Sequence, residues 1–167
     1  MIVRTHTRLH TPLRALVRLY RALDEELAAF PFACRMDGDC CRFALSGLRL
    51  YISSLEAIYL FGGSEPLGSG KAGLLEAGGE RTCPFLVDGR CNRRTLRALG
   101  CRIYTCDSLL NERTQPIYER YHRQIRDLHR DHDLPYEYRD ILAWCHDLDL
   151  SSKSGAASRK ELRPPPR

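Results

Sequence analysis

The sequence predicts a mainly α-helical, small single domain in which irregular cysteine-rich loops are packed between amphipathic helices. Three observations lead there. Apolar residues recur at three- and four-residue spacing in an early and a late stretch, strand signals are weak, and seven of eight cysteines fall in two short segments that carry Gly and Pro. A chain of 167 residues with 43% hydrophobic content is long enough to bury a modest core without many covalent staples. Residues 1–150 are expected to form the cysteine-bearing domain and residues 151–167 a tail.

From Leu13 to Phe30 the residues Leu13, Leu16, Val17, Tyr20, Leu23, Leu27 and Phe30 lie on one helical face, and Pro31 ends the pattern. A second helix is expected from Ser53, whose hydroxyl caps free amides while Glu56, three residues on, reaches back in a capping box. Gly62-Gly63 stops it. The stretch from Gly62 to Gly79 reads as a surface loop with one helical turn near Ala72 to Ala77. Its Gly68-Ser69-Gly70-Lys71 is not a phosphate loop, because Glu65 stands where the first glycine belongs and Ala72 replaces the hydroxyl residue. Ile117, Tyr121, Ile125 and Leu128 mark a long late helix, broken by Pro135. Tyr136 to His146 is expected as a closing helix with Trp144 packed inward and Cys145 in the core; the polar, proline-rich Ser151 to Arg167 reads as disordered. Phe43 to Ile52 alternates only in part, and Phe85 to Val87 is short for a strand.

Arg4, Arg8, Arg14 and Arg18 interrupt every apolar run near the N-terminus, so no secretory segment is expected there. No window approaches the roughly 20 apolar residues of a membrane span. The expected setting is a reducing cytoplasm, where clustered cysteines are more often ligands or redox groups than disulfides. The net charge of +5 is carried almost wholly by arginines dispersed among Asp and Glu, which argues against a nucleic-acid surface. No Ser-His-Asp order, paired catalytic carboxylates or nucleotide fingerprint stands out, so the sequence predicts no catalytic residue.

The first cysteine segment reads Cys34-Arg-Met-Asp-Gly-Asp-Cys40-Cys41. The second reads Cys83-Pro-Phe-Leu-Val-Asp-Gly-Arg-Cys91, then nine residues, then Cys101-Arg-Ile-Tyr-Thr-Cys106. A soft metal needs converging thiolates, and short loops with Gly and Pro supply the bends and free amides that let them converge. The competing reading is buried thiols or reversible disulfides.

These segments resemble the family of zinc- or iron-chelating proteins named for a Cys-x2-Cys-x2-Cys-Cys (CxxCxxCC) motif. That family follows its first motif with Cys-x-Phe-Leu, a Gly-Cys turn, an Arg-Pro pair, then Cys-Arg and an aromatic. Here Cys83-Pro-Phe-Leu86, Gly89 through Cys91, Arg97-Ala98 and Cys101-Arg102-Ile103-Tyr104 follow in that order. Asp37 stands where the second cysteine of the first motif would be, and Ala98 where the proline would be. An aspartate can ligate through oxygen, so Asp37 joins the candidate ligands. The family's likeness to the cysteine segment of flagellin lysine methylases implies an iron-sulfur cluster as cofactor, without implying methylation by this short chain.

The absence of a Cys-x2-Cys knuckle favours a cluster over structural zinc. The candidate metal ligands are Cys34, Cys40, Cys83 and Cys101 first, then Cys41, Cys91 and Cys106, with Asp37. Adjacent Cys40 and Cys41 are expected to point in different directions. Arg97 and Arg102 are candidates to sit beside the thiolates and offset cofactor charge. His122, His129 and His132 on the late helix are weaker ligand candidates, since an exposed helical histidine is usually only solvated. Three functions follow: a metal-binding protein with a structural or redox role, a cluster-dependent enzyme acting on a redox or protein substrate, or a metal-dependent module that binds a protein partner through its amphipathic helices.

Overall fold

The computed structural model describes residues 3–31, 34, 37–62 and 81–147, with backbone alone for residues 3–8. In chain order the elements are α1 (Val3–Leu27), α2 (Phe43–Ser46), β1 (Tyr51–Ser53), α3 (Ser54–Phe61), β2 (Leu86–Val87), β3 (Arg90–Cys91), α4 (Leu99–Ile103), α5 (Ser108–Asp131), β4 (Tyr138–Asp140) and α6 (141–147). The domain is mainly helical, as the periodicity predicts. The tail from residue 151 and the loop predicted after Gly62, with its helical turn, lie outside the described residues. Among the described residues no helix is long and apolar enough to cross a membrane.

Helix α1 begins at Val3 rather than Leu13 and runs through Pro12. Its stripe of Leu16, Tyr20, Leu23 and Leu27 packs against Ile117, Tyr121 and Ile125 of α5, Leu55 of α3, and Leu99 and Ile103 of α4. Helix α5 starts where Asp107 Oδ1 accepts from the amides of Leu109 and Leu110, at 2.9 and 3.3 Å. It ends where Asp133 turns to a φ of 51° and the Leu134 amide bonds back to the His129 carbonyl.

The capping box of α3 forms as read. Ser53 Oγ accepts from the Glu56 amide, and Glu56 Oε2 accepts from the Ser53 amide at 2.8 Å. The same carboxylate does more. Glu56, only 2% exposed, accepts from Tyr20 Oη at 2.8 Å and from the Leu99 amide at 2.9 Å, both on Oε1. One buried side chain thereby ties α1, α3 and the first residue of α4.

The closing segment differs from expectation. Tyr138–Asp140 pairs antiparallel with Tyr51–Ser53, with Ile52 opposite Arg139, and only residues 141–147 are helical. Pairing with a partner far along the chain overrides local preference here. Phe43 to Ile52 is likewise not one strand: Phe43–Ser46 forms the short α2 and only Tyr51–Ser53 pairs. Trp144 packs against a second core cluster and donates its Nε1–H to the Ile52 carbonyl at 3.2 Å. That cluster gathers Phe43, Ile52, Leu60, Phe85 and Ile141 around Cys41 and Cys83. Cys145, 7% exposed, is a core residue as expected.

Candidate metal centre

Backbone contacts bring the two cysteine segments together. Gly38, at a φ of 76°, starts a single 3-10 turn over Asp39–Cys41. Beyond it Arg42 bridges Thr82, and the Cys83 amide donates to the Cys41 carbonyl at 2.7 Å. On the other side, β2 and β3 form a hairpin whose tip, Asp88-Gly89, takes positive φ at both positions and so presents Cys91 opposite Leu86. Gly38 lies against that tip: a Cβ there would stand 2.5 Å from the Gly89 carbonyl oxygen. Glycine at 38 is what lets the loops touch.

Cys41 is the hub. Its thiol is coupled to those of Cys40, Cys83 and Cys91, which come from the 3-10 turn, the loop before β2, and β3. These neighbouring thiols, with burial, raise its pKa. The same proximity acts oppositely on two partners. The Cys41 thiol draws Cys91 down to about 6, helped by the backbone and by Arg97 and Arg94, and Cys40 down to about 7, helped by the backbone and Arg97. Cys101, on α4, moves the other way: burial, with the Cys83 and Cys91 sulfurs nearby, raises its pKa well above the ordinary thiol range. Arg94 Nη1 stands 3.7 Å from Cys34 Sγ. Cys106, exposed beyond α4, completes the set, and all seven cysteines line one cavity of about 1010 Å³ together with Asp37.

As a donor set this is soft and partly ionised, which suits a thiophilic metal. Among the described residues, however, no group of three or more His, Cys, Asp or Glu side chains is arranged to hold a metal ion. A metal would therefore require the thiols to lose their protons and the side chains to turn toward a common point.

The structure ranks the candidates differently from the sequence. Cys40 is exposed and Cys41 buried, while the tight turn keeps the two thiols coupled. Cys41, ranked just behind the first four candidates, is the thiol to which Cys40, Cys83 and Cys91 are all coupled, while Cys34 lies beside Arg94. Asp37 lines the cavity, and its Oδ1 accepts from the Asp39 amide at 3.2 Å, shaping the turn. Arg97 lies among the thiols, acting on Cys40, Cys91 and Cys101. Arg102 also lines the cavity and is tied to the scaffold, bonding Asp24 at 2.6 Å and the Arg97 carbonyl at 2.7 Å, with its guanidinium over the Tyr20 ring. His129 is buried in the core, at 1% exposure, rather than solvated; His122 bonds Tyr136 Oη at 2.9 Å. None of His122, His129 and His132 lines the cavity.

Arg94 was not read from the sequence, though its place in the nine-residue spacer between Cys91 and Cys101 is a signal. No family model, curated protein or solved structure matches this chain.

Proposed function

We propose that this chain is a metal-binding protein holding an iron-sulfur cluster or zinc through its clustered cysteines, in a structural or redox role. The observation that carries the reading is that all seven clustered cysteines line one cavity, where the Cys83 amide bonds the Cys41 carbonyl and so joins the two segments. The resemblance of the two cysteine segments to the zinc- or iron-chelating family supports it.

Cys40, Cys41, Cys83 and Cys91 are the first candidates to hold the centre, with Cys101 beside them. A bound cluster supplies a one-electron redox centre, and bound zinc a rigid cross-link between the loops. The chain contributes the rest. Cys40 and Cys91 have pKa values drawn down to about 7 and about 6, a bound metal would displace the Cys41 proton, and Arg97 and Arg94 would offset the negative charge that remains. A cluster is preferred to zinc because no Cys-x2-Cys knuckle is present.

Anaerobic purification followed by a visible spectrum and iron, zinc and acid-labile sulfide analysis of one sample tests this. Broad absorption near roughly 400 nm with iron and sulfide establishes a cluster. Stoichiometric zinc in colourless protein establishes the alternative metal. Folded protein with neither refutes the proposal and leaves redox thiols as the function of the cluster.

A further inference from the structure

The cavity has a second chemical character away from the sulfurs. At about 1010 Å³ it reaches the upper end of the volumes that small organic ligands occupy, much more than a metal centre needs. Arg49, Tyr51, Tyr118 and Tyr138 all line it. They form a continuous strip: Arg49 Nη1 donates to Tyr51 Oη at 3.4 Å, the Tyr51 and Tyr138 rings lie 5.7 Å apart, and the Tyr138 and Tyr118 hydroxyls bond at 2.8 Å.

This strip carries a surplus of donors. A guanidinium has five N–H groups, and that of Arg49 is exposed and makes no ion pair among the described residues, its one bond going to Tyr51. Tyr51 accepts that bond and keeps its own proton. Tyr118 and Tyr138 bring two hydroxyl protons to a single mutual bond, so one of the two is left to donate elsewhere. Three adjacent groups thus offer hydrogens and a positive charge on an aromatic wall, with no acidic side chain among the described residues bonded to them.

We propose that this strip binds an organic oxyanion, a carboxylate or phosphate ester attached to an aromatic or apolar body. The anionic oxygens lie on Arg49 and the free tyrosine hydroxyls, and the body lies against the Tyr51 and Tyr138 rings. The site goes beyond the metal proposal and uses none of its residues.

Calorimetric titration of the full chain with phenyl phosphate and with phenylacetate tests it, with inorganic phosphate as the head-group control. The same titrations on Arg49→Gln and Tyr51→Phe, both at exposed positions, complete the set, with circular dichroism to verify folding. Saturable binding of either aryl probe, tighter than inorganic phosphate and weakened roughly tenfold or more by Arg49→Gln, is expected. Which probe binds separates ester from carboxylate. No saturable binding of either probe, equal binding of inorganic phosphate, or an unchanged affinity in Arg49→Gln overturns the proposal. Metal analysis of the same sample keeps the two readings apart: aryl binding by folded, metal-free protein supports this site while the metal proposal falls.

Discussion

Gly38→Ala is the perturbation most informative about how the cysteine segments are joined. Two costs are separable. The first is conformational: at a φ of 76° an alanine occupies the left-handed region, at about 1–2 kcal/mol. The second is steric: the new Cβ would lie 2.5 Å from the Gly89 carbonyl oxygen and 2.7 Å from Leu86 Cδ1. One neighbour is backbone, so the hairpin and the turn must separate by roughly half an ångström or more, an overpacking cost of about 1–3 kcal/mol. Gly47→Ala supplies the control, because Gly47 has a φ of 68° and nothing within 4 Å of its Cβ position. The control should lose about 1–2 kcal/mol and Gly38→Ala about 2–5 kcal/mol by guanidinium denaturation. Only Gly38→Ala should also lower the metal bound per chain, since it moves Cys41 away from Cys91. Equal losses in the two variants, or full metal content in Gly38→Ala, would refute the docking argument.

Glu56→Gln should destabilise the protein by about 3 kcal/mol in the same assay, because an amide group must face at least one of the three donors that the buried carboxylate now accepts; a loss below about 1 kcal/mol would count against Glu56 as the tie between α1, α3 and α4. Cys145→Ala should leave metal content unchanged and cost about 1–2 kcal/mol as a small core cavity, whereas metal loss in folded Cys145→Ala would place that thiol at the centre. In metal-free protein, Cys91 near 6 and Cys40 near 7 lie below the unfolded thiol value of about 8.5, so their contribution to stability is present above that value and is lost as pH falls through 7 and 6. Cys41, raised, removes stability as pH rises past the same value, and denaturation midpoints should therefore peak near pH 8.5 or so. A flat profile contradicts the coupling among these thiols. Arg97→Gln should move the pH midpoint of Cys91 alkylation upward, and an unchanged midpoint would remove Arg97 from the thiol environment.

The helical framework was legible because its stripes are long and periodic: Leu16, Tyr20 and Leu23 meet Ile117, Tyr121 and Ile125 as the spacing requires. The Ser53 and Glu56 cap was legible because both partners lie within one turn. The second role of Glu56, bonding Tyr20 and Leu99, was not, because it joins residues 36 and 43 positions away. Pairing of Tyr138–Asp140 with Tyr51–Ser53 escaped for the same reason. Asp88-Gly89 did announce a hairpin by its turn chemistry, and reading it would have placed Cys91 opposite Leu86. The surroundings of each cysteine were hidden because they depend on a 3-10 turn that leaves Cys40 exposed and buries Cys41 beside the second segment. Burial of His129 depends on the chain beyond Asp133 returning over α5, where His129 Nδ1 bonds the Pro135 carbonyl oxygen at 3.0 Å.

X-ray absorption at the edge of whichever metal accompanies anaerobically purified protein tests the central claim most directly, because it reports the donor atoms themselves. Thiolate ligation predicts a nearest shell dominated by sulfur at about 2.3 Å. A shell of nitrogen and oxygen alone would place the metal elsewhere on the chain and contradict the assignment to the cysteines around Cys41.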